Sequence, residues 1–213
     1  MSKEAKRTYI LTSLVCLIPL IAGILLYPRL PENVVTHWDA AGNPNGWSSR
    51  FVGVFVLPGS MLLLNLLFPF LLKMDPKYNN ISEKIKCLIQ WIIPVIALFA
   101  GGMTLTAAVG VEMRVDLFAP MFMGLLFVVL GNFMPKMAQS YTVGIRLPWT
   151  LNDEENWDKT HRLAGFLWVV CGVLMIAGAF LPCRMTVFMV LLGVMVLLPI
   201  AYSYILFLKK KKE

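Results

Sequence analysis

Positions 134–168 read MPKMAQSYTVGIRLPWTLNDEENWDKTHRLAGFLW, gathering Arg, His, Trp and carboxylates between two long apolar runs. Residues 143–149 (VGIRLPW) cannot be helical throughout, because Pro148 pushes Leu147 towards extended backbone and Gly144 relaxes the chain before it. Arg146 then sits in a rigid setting suited to aiming a guanidinium at a carboxylate or at backbone carbonyls. His161 is read either as a pH-sensitive group or as a donor to a loop carbonyl. Glu155 and His161 are residue types that do acid–base work, but the sequence supplies no obvious nucleophile, HExxH motif, intramembrane carboxylate pair or nucleophile elbow. No enzyme activity is expected, and no cofactor motif is present. The chain has two histidines, His37 and His161, in segments placed below on opposite membrane faces, which argues against a histidine-built metal centre.

A helix is expected to follow this turn. Thr150 is an N-cap candidate with Asp153 three residues on, and Asn152 has Glu155 at the capping-box spacing. Asp153, Glu154 and Glu155 would then occupy the first turn, where the helix dipole favours negative charge. Glu155–Lys159 and Asp158–Arg162 are acid-before-base pairs at i, i+4. Trp157, His161 and Ala164 recur at helical spacing, so an aromatic ring and an imidazole share one face leading into the next apolar run. A second polar group lies at 28–51, where His37, Trp38 and Asp39 precede the turn-rich GNPNGW of 42–47. Its Asn-Pro and Asn-Gly pairs predict a compact ordered lid, with Trp38 and Trp47 at headgroup level. That lid is read either as an interfacial turn with aromatic anchors or as a contact surface for something arriving from outside.

The elements that must position these residues are membrane spans. Apolar residues make up 58% of the chain and charged residues only 15%, well below the share in soluble domains. Six uncharged runs, at 9–27, 52–72, 87–109, 117–133, 164–181 and 185–208, are each about long enough to cross a bilayer. The fold class expected is all-α: a polytopic membrane protein of six transmembrane helices. Of the 19 Lys and Arg, 15 fall on segments that are internal if the N-terminus is inside, so both termini are expected to be cytoplasmic. The net charge of +7 therefore serves topology and anionic lipid, not nucleic acid, because its clusters flank the spans. Cys16, Cys87, Cys171 and Cys183 have neither disulfide nor zinc spacing. The chain divides into a three-helix half at 1–116, with external loop 28–51, and another at 117–213, with cytoplasmic loop 134–163. Two triplets of opposite topology, with Gly42-x4-Trp47-Ser48 and Gly144-x4-Trp149-Thr150 in corresponding loops, suggest an alternative: a small-molecule or peptide transporter or channel built on inverted repeats. Against it, the spans carry almost no ionisable residues.

The segment YTVGIRLPWTLNDEENWDKTHRLAGFLWVVCG at 141–172 resembles the signature of the SdpI family of bacterial membrane immunity proteins. Gly144, Ile145, Arg146, Pro148, Trp149, Thr150 and Leu151 match it, as do Glu155, Trp157, Thr160, His161, Arg162 and Gly165, with 131–136 (GNFMPK) as the lead-in. The external loop PENVVTHWDAAGNPNGWSS is similar to a short domain often found at the N-terminus of such proteins. The chain departs from the pattern at Ala138-Gln139-Ser140, where a Pro-Asn type sequence is usual. The resemblance implies a cell-membrane protein that protects its cell against a secreted antimicrobial peptide toxin. It also implies, from the family's founding member, recruitment of a cytoplasmic autorepressor to the membrane when toxin is present. On that basis toxin contact is assigned to His37, Trp38, Asp39 and Trp47. The inner surface is assigned to Gly144, Arg146, Pro148, Trp149, Thr150, Glu155, Trp157, Thr160, His161 and Arg162. The partners implied are the toxin, the autorepressor and the bilayer.

Overall fold

A computed structural model of the protein describes residues 3–211; Met1, Ser2, Glu213 and Lys212, the last lysine of the basic tail, lie outside it. Its helices are α1 (Lys3–Leu26), α2 (Leu57–Lys73), α3 (Glu83–Ala108), α4 (Val115–Phe133), the single turn α5 (Pro148–Leu151), α6 (Glu154–Gly178) and α7 (Arg184–Lys210). All but α5 are long and apolar enough to cross a membrane, α2 together with the helical turn at Val52–Val56 before it, and the protein is a multi-pass membrane protein. Large apolar side chains such as Leu25, Phe70, Phe166 and Leu197 point outward, as lipid-facing residues do. The chain forms two compact units, 1–73 with 86–115, and 74–85 with 116–213.

In the first unit α1 buries Thr12, Cys16, Pro19 and Gly23, which recur at three- and four-residue steps and so share one face. Small residues let the helices approach: a Cβ on Gly101 of α3 would lie 2.6 Å from Pro19, and one on Gly23 would lie 2.8 Å from Val54. A polar cluster unanticipated from the sequence ties these helices together. The buried Asn65 amide of α2 donates to Ser13 at 3.1 Å and to Thr12 at 3.4 Å, and its carbonyl oxygen accepts from Gln90 of α3 at 2.7 Å. Such bonds contribute about 0.6 kcal/mol each on average within a membrane. Their value here is register, because an apolar span slides against its neighbours at little cost.

The all-α expectation fails at the external loop, which folds into an antiparallel hairpin of β1 (Asn33–Trp38) and β2 (Pro44–Ser49). The reversal also lies earlier than the Asn-Pro and Asn-Gly pairs suggest. Asp39 accepts from the backbone N–H of Ala41 at 2.9 Å and of Asn43 at 2.8 Å, and Gly42 takes a left-handed φ of 84°. Gly46 instead sits inside β2 opposite His37, whose Cβ would stand 2.9 Å from any Cβ placed there. Two strands alone are only marginally stable, so this hairpin needs an anchor. Val34 supplies it, buried to 1% exposure with Leu30, Val54 and Leu105 and closing over Gly53.

In the second unit α4 and α6 meet through paired glycines seven residues apart on each helix. A Cβ on Gly124 would lie 2.6 Å from the Gly172 carbonyl, and one on Gly131 would lie 2.8 Å from that of Gly165. The backbones touch directly. α6 joins α7 through a short turn in which the Arg184 guanidinium pairs with Asp116.

Candidate functional site

The signature loop of the second unit is organised around one stacked pair. Trp157 and His161, a turn apart on α6, lie with ring centroids 4.0 Å apart and planes at 22°. Both are buried, at 0% and 1% exposure. The Trp157 indole N–H donates to the Met137 carbonyl at 2.7 Å. His161 uses both ring nitrogens: Nδ1 lies 2.8 Å from the Trp157 carbonyl and Nε2 accepts the Ile145 N–H at 3.0 Å. That pattern requires the neutral tautomer with its proton on Nδ1, since a proton on Nε2 would face another donor. His161 is thus a clamp on the loop backbone. Gly144 closes the other side, and no other residue fits there. Its φ is 101°, and a Cβ would stand 2.5 Å from His161 Nε2 and 2.8 Å from the Trp157 ring.

The sequence reading misplaces the helix start. Asp153 is the N-cap of α6, accepting from the N–H groups of Glu155 at 3.1 Å and Asn156 at 3.3 Å. The two residues favoured from spacing do other work because the separate turn α5 intervenes. Thr150, fully buried, accepts the Leu147 N–H at 2.9 Å and places its hydroxyl 2.8 Å from the Ile145 carbonyl, closing the loop on itself. Asn152 donates to Pro148 at 2.8 Å. The Arg146 guanidinium donates to the Tyr141 carbonyl at 2.8 Å while remaining exposed. Glu155 pairs with Lys159 at 2.7 Å, but Asp158 and Arg162 form no ion pair among the described residues and both face outward. Thr160 donates to Asn156, whose amide reaches the Ser203 carbonyl of α7 at 2.9 Å. The Trp149 indole donates to the Ser203 hydroxyl at 3.0 Å, and Pro148 opens α5 beside it.

A second layer of residues escaped the sequence reading. Asp75, on the loop before α3, accepts from the Ser140 hydroxyl at 2.6 Å, the Thr142 N–H at 2.8 Å and the Lys77 N–H at 2.8 Å. Lys77 pairs with Gln139, whose amide donates to the Thr150 carbonyl at 2.7 Å. The polar side chains of Ser140 and Gln139 thus latch the loop before α3 to the signature loop. The only cue in the sequence was Asp75-Pro76, an ordinary turn signal. Burial works to raise the Asp75 carboxyl, but the donors from Ser140, Lys77 and Thr142 outweigh it and hold it below the usual carboxylate range. A lowered folded-state pKa stabilises the latch above the unfolded value, and that contribution disappears as pH falls through the folded one. Protection of the Thr142 amide, its exchange relative to the intrinsic rate at the same pH, is therefore expected to hold above the ordinary carboxylate pKa and to be lost in more acid solution. Asp75→Asn should exchange faster throughout, without that acid step. An identical acid profile in the two proteins would show that Asp75 does not hold the latch.

The hairpin candidates lie in the first unit. His37 is exposed and shares a 2.6 Å hydrogen bond with Asn45, Trp38 is half-buried, and Trp47 is 58% exposed opposite Val35. The Asp39 carboxyl is held below its usual range above all by the Asn43 N–H, so it serves the turn. Gly42 and Gly144 both have positive φ, but Trp47 then lies on a strand and Trp149 in a helical turn. Those two segments therefore do not carry an inverted repeat.

Comparison with known proteins gives matches to both loops. Residues 136–203 match the SdpI/YfhL protein family, and residues 14–62, which hold the hairpin and its flanking helices, match a domain of unknown function (DUF1648). The chain is 29% identical over 175 residues to the immunity protein SdpI of Bacillus subtilis (strain 168), an alignment covering 82% of each protein. No solved structure matches. Residues 136–203, which hold the Gly144 turn, the Trp157–His161 stack and their α7 partner Ser203, are thus the part of this multi-pass membrane protein that is similar to the SdpI/YfhL protein family.

Proposed function

We propose that this protein is a non-enzymatic membrane immunity protein that protects its cell against a secreted antimicrobial peptide. The observation that carries the reading is an alignment with a named immunity protein that spans most of both chains. The geometry supports binding over catalysis: His161, Thr150 and Trp157 have their polar atoms committed to backbone partners, whereas His37 and Trp47 are presented outward on an anchored hairpin. In this reading both termini are cytoplasmic, the hairpin faces outward and meets the toxin, and the signature loop forms the inner surface. Exposed Arg146, Glu155 and Arg162 would offer that inner surface to a cytoplasmic autorepressor. Linking the two faces requires two arrangements of the spans that toxin binding weights differently.

The test is survival of sensitive cells expressing the chain when challenged with secreted peptide toxins, including spent medium of Bacillus subtilis. Protection is expected for the wild type and for Arg146→Ala, and its loss for a His37→Ala/Trp47→Ala double variant that still reaches the membrane. Failure of the wild type to protect against any of them would overturn the reading. A reporter inserted after Asn43 that behaved as cytoplasmic would overturn the topology.

A further inference from the structure

Two hollows flank the contact between the start of α6 and the end of α7. One, of about 510 Å³, is lined by Pro148, Trp149, Asn152, Asp153, Phe207, Lys210 and Lys211. Its neighbour, of about 190 Å³, shares Asp153 and Lys210 and adds Lys159 and Lys209. The larger has an aromatic floor, Trp149 stacked on Phe207 at 5.8 Å with planes at 28°. The hydrogen bond from Trp149 to Ser203 fixes that floor. Around the two hollows together the charge is unbalanced. Lys210 bridges Asp153 at 2.9 Å and reaches Glu155 at 3.9 Å, whereas Lys209 and Lys211 have no carboxylate partner among the described residues. The apolar run of α7 ends at Leu208, so these lysines emerge where a span meets the headgroup layer.

An apolar aromatic surface, opening at that depth beneath a cationic rim, matches an amphiphile with a hydrocarbon chain and an anionic head. We propose that these adjoining hollows bind one anionic phospholipid, its acyl chain along Trp149 and Phe207 and its phosphate at the lysine rim where Lys211 lines the larger hollow and Lys209 the smaller. Charge selects the head: a zwitterionic lipid brings its own cation to a rim already rich in ammonium groups. The inference does not depend on the immunity role, since it concerns how the end of α7 is seated in the bilayer.

The experiment is native mass spectrometry of the full chain released from bilayers of phosphatidylcholine mixed with phosphatidylglycerol. One phosphatidylglycerol retained in preference to phosphatidylcholine is expected. Lys209→Gln and Lys211→Gln should each lower that preference about fivefold, as for one lysine near an anionic surface. Lys84→Gln, an exposed lysine in the first turn of α3 within the same unit, should leave it unchanged. Equal retention of the two lipids would overturn the proposal. So would a loss for Lys84→Gln as large as for Lys211→Gln, which would show diffuse surface attraction. Loss of the phosphatidylglycerol preference on adding inorganic phosphate alone would assign the rim to a free anion and overturn it as well.

Discussion

Trp157→Ala is expected to lower stability by about 3–5 kcal/mol, the range for removing a large buried aromatic side chain. The change leaves a cavity between His161 and Gly144 and strips the Met137 carbonyl of its donor. It also takes away the ring on which His161 stacks while holding the Ile145 N–H. Collapse into the space is blocked, because the Gly144 backbone is fixed by its neighbours on both sides. Trp157→Phe keeps most of the ring contact and loses only the indole donor, so it should cost less, about 1–3 kcal/mol for one buried polar group left unpaired. Thermal unfolding in detergent, followed by near-ultraviolet circular dichroism, measures the difference. A Trp157→Ala protein melting with the wild type would show that the stack does not hold the loop.

Gly165→Val is expected to be at least as damaging, about 3 kcal/mol or more, at or beyond the upper end of ordinary overpacking. A Cβ there would stand 2.7 Å from the Gly131 carbonyl oxygen and 2.7 Å from the Pro135 ring. Both obstacles are rigid, one backbone and one ring, so no rotamer change relieves them. α4 and α6 would have to separate, and the glycine pair at Gly124 and Gly172 would part with them. Gly193→Ala is the control. Nothing lies within 4 Å of a Cβ at that position in α7, and alanine favours helix over glycine by about 0.5–1 kcal/mol. Its melting temperature should match or exceed the wild type's. If Gly165→Val and Gly193→Ala melt alike, the glycine contact carries no stability.

The six helices were legible because a span's only requirement is length and apolarity, and both can be read from composition along the chain. The turn at Gly144 was legible for a similar reason: Pro148 and Gly144 restrict their own backbone, whatever surrounds them. The start of α6 was not. Thr150, Asn152 and Asp153 all have capping side chains, and spacing alone cannot rank them. The choice fell to Asp153 because Thr150 is taken by the Leu147 N–H and the Ile145 carbonyl, contacts made by the intervening turn. The external loop was missed as a hairpin because β2, PNGWSS, carries Pro, Asn and Gly that read as turn residues. What makes it a strand is its pairing with β1, where Val34 is buried against Leu30, Val54 and Leu105 and His37 is seated over Gly46.

The sequence by itself determined the number of apolar spans, the uneven placement of basic residues and the rigid turn before α6, all local or compositional properties. Only the tertiary structure decided which polar side chains are spent on folding. Asp75 and Lys77 lie more than sixty residues from their partners Ser140 and Gln139, and their bonds depend on a loop from one part of the chain meeting another. From the sequence His161 could be a pH-sensitive group or a donor to a loop carbonyl, and the Ile145 N–H made it an acceptor with a fixed tautomer. Burial in a membrane protein leaves few polar groups without an internal partner, so their roles are set by the neighbours that folding brings.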